Sequence, residues 1–224
     1  MNIRRGKNEI TMDERRLTKI DQFVLDFIDA AQNYGRYVIV SGYVSILFGR
    51  SRGTEGIDII IERIDSTRFH SLHGSLVFNG FYFLNPESES GLFEILEEGL
   101  GIRAAIERTI IPNIEIKFAK DDFDKYSLEN RQRVLVNNNI LFISPLELQI
   151  PYKLWLGSEK DIEDAIFLWE LFKETIDPEL LSTFMNELGV TGDEHGIEIR
   201  SKEESQGEEG IRPIPGQMGE VHAQ

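Results

Sequence analysis

The chain has 224 residues, with 24 Lys and Arg against 39 Asp and Glu and no cysteine. That length holds one generous domain with room for a helical appendage, and the missing cysteines exclude disulfides, thiol catalysis, thiolate zinc sites and iron–sulfur clusters. A net charge of −15 repels phosphate backbones at long range and argues against broad nucleic-acid binding, while leaving room for a locally basic pocket. The basic start, residues 1–9, is not followed by an apolar stretch, and no window approaches the roughly 20 apolar residues of a membrane span. A cytoplasmic protein without membrane contact is expected.

Leu17, Ile20, Phe23, Val24, Phe27, Ile28 and Ala31 recur at helical spacing and predict a helix over about 13–33, ended by Gly35. Tyr37–Val40 reads as a buried strand, followed by Gly42, a short helix through Val44 and Phe48, and a stop at Gly49. Ile57–Ile61 is a second buried strand with one acid, Asp58, inside it. Ser66 is the expected cap of a helix reaching Phe78, where Asn79-Gly80 ends it. Strands are predicted at 81–84, 104–108 and 114–118, with a helix at 90–98 between the first two. Arg133–Val136 and Ile140–Ile143 flank Asn137-Asn138-Asn139, a hairpin signal.

The last third is helical. Ser144-Pro145-Leu146-Glu147, Ser158-Glu159-Lys160-Asp161 and Asp177-Pro178 are three helix starts, and Gly189 is a stop. From Asp193 onward eight acids face three bases, and periodicity is lost from about Thr191, so 191–224 reads as a disordered acidic tail. The expected organisation is an N-terminal segment and helix (1–35), an α/β core (36–143), a helical segment packed on it (144–190) and the tail. The fold class is α+β, a mixed sheet flanked by helices and followed by a C-terminal helical segment.

Chemistry concentrates between Val40 and Ile61. A strand, a glycine and a short helix make a turn whose N–H groups can hold a phosphate, and Arg50 and Arg52 add positive charge there. Asp58 then lies in an apolar strand, where a charge needs a cleft, a partner or a metal; bonding to nearby amides is the plain alternative. Glu115 sits likewise in Ile114–Phe118, with Lys117 or solvent as its plain partners. Lys153 falls on the apolar face of its helix, either snorkelling or aimed at a phosphate. Asp161 can be a cap after Ser158, and Asp164 can pair with Lys160. His70 and His73 lack an evident third ligand. Gly99-Leu100-Gly101-Ile102-Arg103-Ala104 spells a dinucleotide motif, but follows a helix and precedes a strand, the reverse of what that motif needs.

The 40–61 segment resembles the signature of the polymerase-β-like nucleotidyltransferases, and more closely their minimal bacterial and archaeal members of the abortive-infection toxin type. Those carry an Arg-x-Thr-x-Asp-x-Asp run, matched by Arg52-Gly53-Thr54-Glu55-Gly56-Ile57-Asp58, and a later Lys and Lys-Asp-x-x-Asp helix start, matched by Lys153 and Lys160–Asp164. The likeness spans about 36–189. It implies a Mg²⁺ or Mn²⁺ ion on Asp58 and Glu115, a nucleoside triphosphate contacted by Gly42, Ser45, Arg52, Thr54 and Lys153, and catalysis by Asp58, Lys153 and Asp161. The implied reaction moves a nucleoside monophosphate to a hydroxyl of RNA, protein or a small molecule. One departure stands out: Gly56 replaces the first metal-binding acid, and Glu55, one residue earlier, should face the other side of the strand. The alternatives are a degenerate nucleotide-binding module and a partner-binding member of a toxin–antitoxin pair.

Overall fold

Residues Glu9 to Asp13 alternate rather than cycle: Ile10 and Met12 are fully buried while their neighbours are half-exposed. In the computed structural model, which describes residues 2–6 and 9–198, they form strand β2 (Glu9–Asp13), antiparallel to β1 (Asn2–Arg5). The first helix therefore starts later than its apolar spacing suggests. Thr18 and Asp21 form a reciprocal capping box that fixes the start of α1 (Lys19–Ala31).

Next come β3 (Tyr37–Val40), α2 (Gly42–Leu47), β4 (Gly56–Ile61) and α3 (Ser66–Phe78). Asp65, not Ser66, caps α3, accepting a bond from the Arg68 N–H. Then follow β5 (Phe81–Phe83), α4 (Glu89–Glu97), β6 (Ile102–Ile106), β7 (Asn113–Phe118) and α5 (Asp122–Glu129). β6 lies two residues earlier than expected because Ile102 and Ala104 share the buried face. The sequence reading has no counterpart of α5, which is mostly polar and buries few residues. The chain ends in β8 (Gln132–Val136), β9 (Asn139–Ile143), α6 (Leu146–Leu156), α7 (Glu159–Phe172) and α8 (Pro178–Leu188). Ser144 does not cap α6; its hydroxyl bonds Ser127, and Pro145 holds the cap position.

The nine strands form one mixed sheet in the order β1-β2-β8-β9-β3-β4-β7-β6-β5. Period-2 alternation in β4 sends Ile57, Ile59 and Ile61 into the main core with Phe27 and Leu72, and Ile60 into a small cluster with Val38 and Leu128 on the α5 side. Asp58 and Gly56 share the α5 side with Ile60, as do Asn113, Glu115 and Lys117, their parallel register partners on β7.

The tail expectation fails for residues 191–198. A 3-10 turn at Asp193–His195 leads to Ile197, which is 1 % exposed and part of the main core. The rest of that prediction, 199–224, lies outside the described residues.

Candidate active-site cleft

On the α5 side, one row crosses three strands: Arg103 of β6 opposes Glu115 of β7, which opposes Asp58 of β4. Arg103 Nε donates to Glu115 Oε2 at 2.8 Å. In the neighbouring row Gly56 opposes Asn113. A Cβ at position 56 would sit 3.3 Å from Asn113 Oδ1, whose amide nitrogen is engaged with the Ile110 carbonyl at 3.1 Å. These rows floor a cleft of about 780 Å³, rimmed by Arg50, Arg52 and Lys160. Glu55, which lies before the strand begins, lines the same cleft.

Burial lifts the Asp58 carboxyl above its ordinary range; a bond from Ser41 opposes this, Glu115 adds to it, and Lys117 and Lys153 oppose it. Ser41 itself is strained, at φ 63° and ψ −141°, a region that non-glycine residues seldom occupy and that often marks a functional site. Gln149 Nε2 holds the Ser41 carbonyl at 3.0 Å.

The structure brings the sequence-derived candidates together unevenly. Asp58, Glu115, Arg52 and Thr54 line the cleft, Thr54 bracing the strand by donating to the Gly56 carbonyl at 2.6 Å. Ser45 does not. It is fully buried in α2, where all six residues face inward, and its hydroxyl has no partner. Gly42 is buried too, and the Arg52 guanidinium packs so tightly against it that a Cβ there would collide. At Gly42 the turn therefore holds a guanidinium, not an open phosphate cradle.

Lys153 is 1 % exposed. Its ammonium is 3.0 Å from Asp161 and 2.7 Å from Asp164. Asp164, fully buried, also holds Arg52 at 2.7 Å and Arg50, whose other nitrogen binds Glu163. One carboxylate thus gathers three cations from two segments. Ser158 caps α7: its hydroxyl accepts from the Asp161 N–H and donates to the Asp161 carboxylate. Burial would raise the Asp161 carboxyl, but the bonds from Ser158 and Lys153 hold it below its ordinary range.

A divalent ion of the expected kind needs several oxygens on one face. Strand β4 supplies one carboxylate, an amide oxygen stands over Gly56, and Glu115 is tied to Arg103. Among the described residues no group of three His, Asp or Glu is placed to hold a metal. With glycine at position 56, β4 does not give the two-acid grip on one strand face that the resemblance implies.

No protein-family model and no curated protein sequence matches the chain. Among solved structures, the crystal structure of ANT(2'')-Ia in complex with adenylyl-2''-tobramycin superposes with a TM-score of 0.51 at 13 % identity, over 76 % of this chain and 97 % of that one. The chain has a nucleotidyltransferase-like fold. An antigenic nucleotidyltransferase-like protein from Paracoccidioides brasiliensis matches at 0.46 and 16 % (77 % and 88 % covered), and the nucleotidyltransferase toxin MenT4 of Mycobacterium tuberculosis H37Rv at 0.46 and 14 % (74 % and 61 % covered). Within this nucleotidyltransferase-like fold, the residues that sequence reasoning missed at the cleft are Arg103 and Asn113. Both matter through strand register, which no local pattern encodes. Among the described residues no helix is long and apolar enough to cross a membrane.

Proposed function

We propose that the cleft binds a nucleoside triphosphate and that the protein transfers its nucleoside monophosphate to a hydroxyl of an RNA, protein or small-molecule acceptor. One observation carries this reading: Asp58, its carboxyl raised by burial, stands on the floor of a cleft rimmed by Arg50, Arg52 and Lys160. A raised carboxyl is the direction a general base requires. The acceptor hydroxyl passes its proton to Asp58 as its oxygen bonds the α-phosphorus. The bond from that phosphorus to the bridging oxygen breaks, and pyrophosphate leaves toward the cationic rim, where positioning and charge neutralisation do most of the catalysis. No step is routed through the Mg²⁺ or Mn²⁺ ion implied by the resemblance, because β4 lacks the two-acid grip for it. Lys153 and Asp161 act behind the rim by fixing α6 against α7, not by touching the nucleotide.

A second reading, nucleotide binding without turnover, is favoured by Gly56 and by the Arg103–Glu115 pair. Incubation with labelled ATP, GTP, CTP or UTP, total RNA and cell lysate, in Mg²⁺, Mn²⁺ and EDTA, separates the two. Label appearing in an acceptor with the wild type and not with Asp58→Asn supports transfer. Label retained on the protein and never transferred supports the second reading.

A further inference from the structure

Resting on the nucleotide reading above, we propose that the cleft takes the triphosphate as the metal-free anion, its charge met by Arg50, Arg52, Arg103 and Lys160 in place of a divalent ion. Two sets of observations point the same way. On the donor side, position 56 offers no side chain and faces the Asn113 amide oxygen. Glu115 is drawn sideways over β6: Arg103 binds one oxygen, and a Cβ on Gly101 would lie 2.8 Å from the other. Asp58 is left as the one carboxylate within β4.

On the cation side, the four basic groups line the same space. Asp164 is shared among Arg50, Arg52 and Lys153, and is the one ion-pair partner of Arg52 among the described residues, while Arg50 also pairs with Glu163 and Lys153 with Asp161. The other partners are displaceable. Glu163 is 55 % exposed at its side chain and Glu115 36 %, so phosphate oxygens can take over their bonds to Arg50 and Arg103. Arg52 Nε is buried without a partner and remains a spare donor. Guanidinium forks match phosphate oxygens two at a time. A bound Mg²⁺ would cover the same oxygens and cancel charge that the arginines read, so it should leave affinity level or lower it.

The test is calorimetric titration of the full chain with ATP, GTP, CTP and UTP, each in excess EDTA and in excess Mg²⁺. At least one nucleotide should bind in EDTA as tightly as in Mg²⁺, within about threefold, and weaken with added salt. Arg103→Gln, at a side chain 59 % exposed, should keep the wild-type melting temperature and bind about tenfold more weakly in EDTA. Binding that needs Mg²⁺, or is more than about tenfold tighter with it, overturns the inference and leaves the nucleotide reading standing. Unchanged affinity in Arg103→Gln overturns it as well. If no nucleotide binds in either medium, the nucleotide reading falls, and the inference with it.

Discussion

Lys153→Met removes one charge and keeps nearly the same stem. In the wild type the ammonium is 1 % exposed and bonds Asp161 and Asp164 at 3.0 and 2.7 Å. Removing one partner from a buried ion pair typically costs about 3–5 kcal/mol, because the other charge is stranded. Here the stranding is incomplete: Asp164 keeps Arg50 and Arg52, and Asp161 keeps Ser158. Burying a methionine in place of an ammonium also recovers desolvation energy. The expected loss is therefore about 1–3 kcal/mol, which for a chain of this size lowers the melting temperature by about 2–12 °C. Lys153→Ala should lose more, since it adds a cavity. Thermal and urea melts measure both. The pH dependence gives a second readout. Asp161 titrates below its unfolded value, so its stabilisation is present at neutral pH and fades as pH falls through its folded pKa. Without Lys153 that fading should shift to higher pH and shrink. If Lys153→Met melts at or above the wild type while nucleotide affinity drops tenfold or more, the lysine serves the ligand and the structural argument is wrong.

Gly56→Asp should cost less than about 1 kcal/mol, since the new Cβ meets Asn113 Oδ1 at 3.3 Å and the amide has to give slightly; a Mn²⁺ titration should then reveal metal binding that the wild type lacks, and Asp58→Asn added to that variant should abolish it. Asp58→Asn alone should raise the melting temperature at neutral pH: the folded state holds this proton more tightly than the unfolded one, so stability declines as pH rises from about 3.9 toward the raised folded pKa, and the amide removes that decline. Gly42→Ala should displace the Arg52 guanidinium, read as a lower melting temperature together with weaker nucleotide binding. Ile197→Ala should cost about 2–4 kcal/mol in a urea melt, as befits a core residue; a near-zero effect would restore 191–198 to the tail.

Much of the fold is legible where signals are local. The strand, glycine, helix and strand from Tyr37 to Ile61 are read almost to the residue, and Ser158 and Asp177-Pro178 open their helices as capping chemistry requires. The missed elements are those with short or polar patterns. β2 has one alternating cycle flanked by acids, and α5 buries too little apolar surface to carry a period. The cleft divides in the same manner. Asp58 stands out as an acid in an apolar strand, whereas Arg103 and Asn113 depend on how β6, β7 and β4 align. Lys153 was ambiguous because its partners sit on the next helix, and only the packing of α6 on α7 chooses between cleft and interior.

The sheet is not equally stitched along its width. β3 and β9 share a single register pair, Ile39 with Ile143, where every other junction has three or more. On one side of this seam lie β3 to β7, a contiguous stretch of chain that holds the entire cleft floor; on the other lie the first two strands and the β8–β9 hairpin. The chain that leaves β9 continues into α6 and α7, and Asp164 of α7 clasps Arg50 and Arg52, which lie between α2 and β4. Those bonds tie the chain beyond β9 to the half-sheet that holds the cleft. A ligand that pulls the arginines toward its phosphates would loosen this tie, so occupancy of the cleft would be felt as altered amide exchange in α7.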